Sequence, residues 1–252
     1  MTQYIFDLYA TLIDIHTDET QKHLWKRMAS WYACFGAVYA PEQLHQSYLR
    51  MVQEETERIH EPWPEIDLRK VFLRLWKEAP ASCTPAYACT DDAFVNAAGS
   101  MFRILSRKKM HVYPGTIETL QKLKAAGHGI WLLSNAQSVF TVPELVQTGL
   151  YDLFDGISIS SDAGIRKPQK EFLGELLQKY ALRKEECIMV GNDWTTDIAI
   201  AQSCNIPSIY LNTAKESSKA LKEHLKQYPK GIVRVIDSIT QLTEKEGICR
   251  NG

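Results

Sequence analysis

Two polar residues near the start of the chain have the types and the spacing of a covalent catalyst. Asp7 directly follows the apolar run Tyr4-Ile5-Phe6, and Thr11 comes four residues later. A carboxylate at the end of a strand can attack an electrophilic centre, and a nearby hydroxyl can orient it through a hydrogen bond. By themselves the two residues also fit an aspartate that only caps the next turn. Covalent chemistry at Asp7 therefore requires further groups that meet it at the same place.

Two further clusters carry groups that suit the binding of an anion. Ser134 and Asn135 end another apolar run, and Lys167 lies just before Pro168 and a predicted helix. The Ser134 hydroxyl and nearby backbone N–H groups can hold an anionic oxygen, and an ammonium can neutralise both a nucleophilic carboxylate and an incoming anion. The alternatives are a plain turn at the serine and a solvated surface position for the lysine. Each cluster taken singly leaves both interpretations open.

The fourth cluster follows an apolar strand and leads into a helix. Asp193 and Asp197 lie four residues apart there, and Asn192 precedes them. Two carboxylates with this spacing can hold a hard cation and orient its ligands. Alternatively, Asp193 caps the helix and Asp197 only interacts favourably with the helix dipole. The cluster is thus either a metal site or the start of a helix.

All four clusters stand at the ends of predicted strands that alternate with helices. The predicted strands are 4–6, 129–133, 156–159, 187–190 and 208–211, and the helices between and after them include 169–180 and 196–204, with one more that starts at Val142. This alternation predicts an α/β fold with a Rossmann-like, doubly wound parallel sheet. Because such sheets bind ligands outside the carboxyl ends of their strands, we expect the four clusters to form one site.

The region between the first strand and the rest of the sheet has a different pattern. Apolar residues recur three and four positions apart over the stretches 24–35, 41–59 and 67–77. This spacing is typical of amphipathic helices. We therefore predict an inserted, all-helical cap domain at residues 18–109 and a core domain made of residues 1–17 and 110–252.

Composition limits the classes of partner. The 29 Lys and Arg residues nearly balance the 30 Asp and Glu residues, which gives a formal net charge of −1. We therefore expect a small-molecule substrate rather than nucleic acid or a membrane. No apolar run reaches the roughly 18 to 20 residues of a membrane span, and the N-terminal residues do not resemble a signal peptide. We expect a cytoplasmic monomer or homodimer whose six cysteines, none in a C-x-x-C pair, are reduced thiols.

The order of the four clusters resembles the four motifs of the haloacid dehalogenase superfamily, from Tyr4 to about Leu211, and the helical insertion resembles the cap of its subfamily I. The resemblance implies that Asp7 is the nucleophile that forms an aspartyl ester, and that Thr11 orients it. It also implies that Ser134, Asn135 and Lys167 bind the substrate.

The resemblance further implies a Mg²⁺ site. Phosphatases of this superfamily hold Mg²⁺ with the nucleophile carboxylate, the backbone carbonyl two residues later and an acid of the fourth motif. These groups match Asp7, Tyr9 and Asp193, with Asp197 as a second or outer ligand. Asn192 stands where many relatives carry an acid. The cation would reduce the repulsion between Asp7 and a phosphate.

The main departure from the phosphatase pattern is Tyr9. Phosphatases of the superfamily usually place an aspartate there as general acid and base, and a tyrosine with a pKa near 10 is a poor substitute at neutral pH. The segment D-L-Y-x-T instead resembles 2-haloacid dehalogenases, in which Arg50 would correspond to a halide-binding arginine of the cap. The acidic fourth motif favours a Mg²⁺-dependent phosphatase for a small phosphorylated metabolite. A metal-independent 2-haloacid dehalogenase and a non-catalytic binding protein are the alternatives.

Overall fold

The computed structural model describes residues 1–228 and 233–244 of the chain. The strands in these residues are β1 (Gln3–Phe6), β2 (Ile13–Thr17), β3 (Ala37–Val38), β4 (Ala81–Ser82), β5 (Arg107–Val112), β6 (Gly129–Ser134), β7 (Gly156–Ile159), β8 (Cys187–Gly191), β9 (Ser208–Leu211) and β10 (Val233–Ile236). The α-helices are α1 (Lys22–Cys34), α2 (Pro41–Glu57), α3 (Leu68–Lys77), α4 (Asp91–Ser106), α5 (Thr116–Ala125), α6 (Ser138–Gln147), α7 (Ser160–Ala163), α8 (Lys170–Lys179), α9 (Ala199–Ser203) and α10 (Ser218–Gln227).

Six strands form one parallel sheet in the order β10-β9-β8-β1-β6-β7. All four residues of β1 are buried, because the strand lies between β6 and β8 and is covered on both faces. The chain extends from β1 to one side through β6 and β7 and to the other side through β8, β9 and β10. The carboxyl end of β1 is therefore the point where the strand order reverses, which is where such sheets bind ligands. Asp7 follows β1 directly. The prediction of a Rossmann-like α/β fold is confirmed.

Alternate residues of β1 pack on opposite faces of the sheet, as the two-residue period of a strand requires. Phe6 belongs to an apolar cluster with Leu120 of α5, whereas Ile5 belongs to a different cluster with Phe172 of α8. Both strand residues are fully buried. The helices on the two faces thus hold β1, and with it the start of the Asp7 loop, in a rigid setting.

The insertion consists of α1 to α4 and lies between β2 and β5. These two strands pair antiparallel and form a ribbon at the point where the chain leaves and re-enters the core. The insertion also contains the small ribbon of β3 and β4, whose strands have two residues each. Strands this short cannot show an alternating pattern in the sequence. The domain boundaries at 17/18 and 109/110 remain predictions.

The apolar core of the insertion extends onto the core domain. Its buried cluster includes Val139 and Phe140, both from α6. The rings of Phe102 in α4 and Phe140 are stacked, with their centroids 6.0 Å apart. The cap therefore packs directly on the helix that follows the Ser134 loop. Within the described residues, no helix is long and apolar enough to cross a membrane.

Several predicted elements differ in their bounds. The strands 156–159 and 208–211 have the expected limits, but α6 begins at Ser138 rather than Val142 and contains Pro143. Before α9, the segment Trp194–Ile198 forms a π-helical turn, so the α-helix predicted from residue 196 starts later. The five cysteines within the described part of the chain are free thiols, and Cys249 lies outside it.

Helix α4 of the cap and helix α6 of the core approach each other closely at Gly99. An added Cβ at Gly99 in α4 would lie 2.3 Å from Val139 Cγ2. Gly99→Ala is therefore expected to lower the free energy of unfolding by about 1–3 kcal/mol, measured by chemical denaturation. The matched control is Gly174→Ala in α8, where a Cβ meets no atom within 4 Å. It is expected to stabilise the protein by up to about 1 kcal/mol. Equal stability of the two variants would contradict this account of the contact.

Candidate active site

Asp7 stands at the carboxyl end of β1 with both carboxylate oxygens held. Its backbone N–H donates to Val190 O at 2.9 Å, which continues the pairing with β8. Its Oδ1 lies 2.7 Å from Lys167 Nζ, and its Oδ2 accepts a hydrogen bond of 2.9 Å from Thr11 Oγ1. The residue is buried, with 8% of its surface exposed. The first and third sequence clusters therefore meet, as expected.

Lys167 is the centre of the site. Its ammonium is 1% exposed and donates to Asp7 Oδ1 at 2.7 Å, to Asp197 Oδ1 at 2.7 Å and to Leu133 O at 2.8 Å. Burial disfavours the charged ammonium, but the two carboxylates outweigh it and raise the pKa of Lys167. Burial and the Asp7 charge raise the pKa of Asp197, and Lys167 opposes this shift. One cation is thus shared by two buried acids.

Ser134 and Asn135 have different roles in the geometry. Asn135 Oδ1 accepts from Lys167 N at 2.8 Å, and Asn135 Nδ2 donates to Lys167 O at 3.0 Å. This amide therefore holds the backbone of the lysine segment in place. Ser134 Oγ is buried and has no hydrogen-bond partner within the described structure. An unpaired buried hydroxyl is costly, so Ser134 remains a predicted donor or acceptor for a substrate oxygen.

The fourth cluster is organised around Asp197 rather than Asp193. Asp197 Oδ2 accepts from the backbone N–H groups of Asn192 and Asp193, each at 3.1 Å. Gly191 permits this approach, since a Cβ there would lie 2.2 Å from Asp197 Oδ2. Asp197 therefore holds the loop with one oxygen and Lys167 with the other.

Asp193 and Asn192 lie on different sides of this loop. Asp193 is exposed, and its Oδ1 accepts from Thr195 N at 2.6 Å and Thr196 N at 3.1 Å, as a helix cap does. Asn192 Oδ1 instead lies 2.9 Å from Thr11 Oγ1, which is also 2.9 Å from Asp7 Oδ2. In the described part of the chain, no group of three or more His, Cys, Asp or Glu residues is placed to hold a metal ion. The predicted metal ligands remain predictions.

Tyr9 is part of a buried ionic cluster that the sequence did not reveal. Its hydroxyl donates to Glu144 Oε2 at 2.5 Å. Glu144, on α6 and 2% exposed, also accepts from Arg103 Nε of α4 at 2.8 Å and from Arg107 Nη1 of β5 at 3.3 Å. Burial and the Glu144 charge raise the pKa of Tyr9 far above its usual value, although Arg103 opposes the shift. The cluster connects the loop of Asp7 and Tyr9, the cap and the ribbon of β2 and β5.

A cavity of about 460 Å³ lies between the core and the cap beside these residues. Tyr9 and Asn135 contribute its core side, and Arg103, Glu65 and Tyr48 contribute part of its cap side. Arg50, the candidate halide-binding residue, is not part of this lining: its side chain is 56% exposed and pairs with Glu54.

The cap loop over the cavity is held by a core residue. Gln137 Nε2 donates to Ile66 O at 2.8 Å and to Glu65 Oε1 at 3.0 Å, and Gln137 Oε1 accepts from Leu68 N at 2.8 Å. Sequence reasoning missed Gln137, Glu144 and Arg103, because charged and amide residues on predicted helices are normally solvated.

A doubly wound core with a carboxylate at the end of its central strand, a buried lysine beside it and a helical cap defines a class of hydrolases that form an ester on an aspartate. The chain belongs to the haloacid dehalogenase-like hydrolases, since the model of that family matches residues 1–205. The predicted superfamily is confirmed.

The chain is similar to proteins of two activities. Glyceraldehyde 3-phosphate phosphatase of Methanothermobacter thermautotrophicus is 31% identical over 133 residues, which are 52% of this chain and 57% of that protein. The chain thus spans little more than half the length of this curated relative. The structure of 2-haloacid dehalogenase from Pseudomonas syringae pv. Tomato matches with a TM-score of 0.59 and 22% identity over 97% of both chains. The structure of a HAD phosphatase from Thermococcus onnurineus matches with a TM-score of 0.57 and 15% identity over 96% of both chains. Structural likeness at these identities concerns the fold alone.

Removal of the Lys167 ammonium leaves two buried carboxylates unpaired. Lys167→Met is therefore expected to lower the free energy of unfolding by about 3–5 kcal/mol at neutral pH. The control is Lys170→Met, three residues along the chain, where the side chain is 68% exposed and 3.9 Å from Glu171. We expect a change within about 0.5 kcal/mol there. Chemical denaturation measures both, and similar values for the two variants would refute the assigned role of Lys167.

The Glu144 cluster is expected to contribute more to stability than an exposed ion pair between the same two domains. Glu144→Ala leaves two guanidinium groups without their carboxylate and should cost about 3–5 kcal/mol of unfolding free energy. Asp162→Ala breaks the pair with Arg69 of α3, in which Asp162 is 50% exposed, and also removes the acceptor of a 2.6 Å hydrogen bond from Ser138 Oγ. That change should cost at most about 2 kcal/mol. Thermal and chemical denaturation would reveal the difference, and a smaller loss for Glu144→Ala would be inconsistent with a buried cluster.

Proposed function

We propose that this protein is a phosphatase that hydrolyses phosphate monoesters of small metabolites through an aspartyl phosphate on Asp7. The observation that carries the proposal is the contact of 2.7 Å between Lys167 Nζ and Asp7 Oδ1. Lys167 Nζ also donates to the carbonyl of Leu133, the residue before Ser134, whose hydroxyl is unpaired. A nucleophilic carboxylate and a phosphate repel each other, so the site needs positive charge and a donor for a phosphate oxygen. Lys167 supplies the first and Ser134 the second. The similarity to glyceraldehyde 3-phosphate phosphatase supports the same reaction class.

In the proposed reaction an Asp7 oxygen attacks phosphorus and the bond to the leaving oxygen breaks. Water then attacks the phosphorus of the aspartyl phosphate, which releases inorganic phosphate and restores the carboxylate. Thr11 and Lys167 orient Asp7 from its two oxygens in both steps. Asn135 acts indirectly, because it fixes the backbone that carries Lys167.

We also propose that the site binds Mg²⁺. Asp7 and Asp197 share the single positive charge of Lys167, and a bound cation would favour the ionised form of both carboxylates, although burial raises the pKa of Asp197. Asp7 Oδ2 and Asn192 Oδ1 both lie 2.9 Å from Thr11 Oγ1, and such hard oxygen atoms suit Mg²⁺. We assign these two atoms and the Tyr9 carbonyl as ligands, while Asp193 and Asp197 act through the loop. When bound, the cation would neutralise charge on the phosphate and on Asp7.

Dehalogenation is the second candidate. It is favoured by Tyr9, whose hydroxyl is already donated to Glu144, and by Asn192, which puts an amide rather than an acid beside the nucleophile. The displacement of a halide from carbon by Asp7 requires neither a metal nor a proton donor. The fold likeness to a 2-haloacid dehalogenase does not separate the two candidates, because the phosphatase structure is matched equally well.

Phosphate release and chloride release separate the candidates. We expect release of phosphate from small phosphate monoesters in the presence of Mg²⁺, at least about 10-fold slower with a chelator, and no chloride release from 2-chloropropionate. Asp7→Asn should abolish the phosphatase activity, because an amide cannot form the ester. Chloride release without phosphate release would establish the second candidate, and chelator-insensitive phosphatase activity would remove the Mg²⁺ assignment.

The ligand assignment can be tested with two neighbouring substitutions. Asn192→Ala is expected to raise the Mg²⁺ concentration for half-maximal activity by about 10-fold or more. Asp193→Asn keeps the helix cap, because asparagine caps as well as aspartate, and should change that concentration by less than about 3-fold. A larger rise in that concentration for Asp193→Asn than for Asn192→Ala would instead assign Asp193 as a ligand of Mg²⁺.

A further inference from the structure

The cavity between the core and the cap, which Tyr9 and Asn135 line on the core side, holds few groups that can give a proton to a departing oxygen. Its titratable residues are Tyr9, Glu19, Tyr48, Glu65, Arg103 and Arg166, and its lining within the described structure includes no histidine, lysine or cysteine. The two arginines keep their protons at any pH of interest. Only the two tyrosines and the two glutamates therefore need to be considered.

The Tyr9 hydroxyl is committed elsewhere. Its hydrogen is donated to Glu144 Oε2 over 2.5 Å, and its oxygen is 3.1 Å from Thr141 Oγ1. The Arg103 guanidinium that binds Glu144 also lies over the Tyr9 ring, 5.5 Å from its centroid. The ring is thus held by contacts on its edge and its face. To protonate a leaving group, Tyr9 would have to break a hydrogen bond to a buried carboxylate.

The remaining candidates all belong to the cap side of the cavity. Burial raises the pKa of Tyr48, and the adjacent Glu19 carboxylate raises it further, so this hydroxyl does not release its proton near neutral pH. Burial also raises the pKa of Glu19 and Glu65, which favours the protonated carboxyl, and the Arg103 charge opposes the shift at Glu19. Substitution of each glutamate therefore belongs to the test of the proposal. Glu65 accepts hydrogen bonds of 3.0 Å from Gln137 Nε2 and Ser160 Oγ, one on each carboxylate oxygen.

From this geometry we propose that the enzyme acts on phosphate compounds whose leaving group departs as a stable anion, namely acyl, enol and aryl phosphates, in preference to alkyl phosphates. The inference rests on the proposed phosphatase function and narrows its substrate class. A leaving group that needs no proton in the transition state loses nothing when the site offers none. An alkoxide does need one, and the absence of general acid catalysis typically costs about 10²- to 10⁴-fold in rate.

The bond changes are complete without a proton donor. An Asp7 oxygen forms a bond to phosphorus, and the bond between phosphorus and the leaving oxygen breaks, with its electron pair remaining on that oxygen. The carboxylate, enolate or phenolate then diffuses away and takes a proton from water only if its basicity requires one. Hydrolysis of the aspartyl phosphate follows, and this second step is the same for every substrate.

A series of phenyl phosphates that differ only in the para substituent tests the preference with the change in shape confined to one end of the leaving group. We expect kcat/KM to fall steeply from p-nitrophenyl to p-methylphenyl phosphate, and acetyl phosphate to exceed ethyl phosphate by about 100-fold or more. If all four compounds turn over and kcat/KM is equal within each pair, this inference is overturned, while the phosphatase function stands. Absence of turnover for every phosphate compound would instead overturn the proposed function.

Substitutions at position 9 test whether the Tyr9 hydroxyl gives a proton to the leaving group. Tyr9→Phe keeps the ring and removes the hydroxyl, and it should leave the ratio of acetyl to ethyl phosphate turnover unchanged within about 3-fold. Tyr9→Asp introduces a carboxyl group two residues from the nucleophile, and it should narrow that ratio by raising the ethyl phosphate rate. A selective loss of ethyl phosphate turnover in Tyr9→Phe would show that the hydroxyl is the donor. The same selective loss in Glu19→Gln or Glu65→Gln would assign the donor to the cap, and either result refutes the proposal.

Discussion

The site depends on one ammonium placed between two buried carboxylates. Lys167 bridges Asp7, at the end of the central strand, and Asp197, in the loop after a neighbouring strand. The two carboxylates depend on the shared ammonium, because its removal leaves both of them buried without compensation. This requirement determines how the loops after β1, β6 and β8 can be arranged. Asn135 holds the lysine backbone and Gly191 leaves room for Asp197 for the same reason.

A second buried cluster of charged groups connects the loop that carries Asp7 and Tyr9 to the cap. Glu144 takes hydrogen bonds from Tyr9 of the loop, from Arg103 of the cap and from Arg107 of the connecting ribbon. The position of the cap and the conformation of the loop are therefore not independent. The same contact occupies the hydrogen of the Tyr9 hydroxyl, so a structural link between the core and the cap also restricts the chemistry available to the leaving group.

Phosphate transfer without a proton donor and halide displacement have a physical feature in common. In both, the leaving group departs as an anion that water can stabilise, and the enzyme has only to orient the carboxylate and balance charge. A site with Tyr9 and Asn192, in place of acids at these two positions, is compatible with either electrophile. The shared fold is compatible with both as well, which is why the side chains around Asp7 carry the functional argument.

Sequence alone determined the α/β winding, the helical insertion and the candidacy of Asp7, Thr11 and Lys167, because apolar periodicity and strand-end position are local properties of the chain. The ribbon of β2 and β5 could not be read in the same way, since its pairing joins residues about 95 positions apart, such as Asp14 and His111. Only the tertiary structure decided that Asn192 rather than Asp193 faces the nucleophile loop and that Tyr9 is bound to Glu144. Those contacts depend on the direction of side chains between distant segments, and the spacing of residues along a chain does not specify that direction.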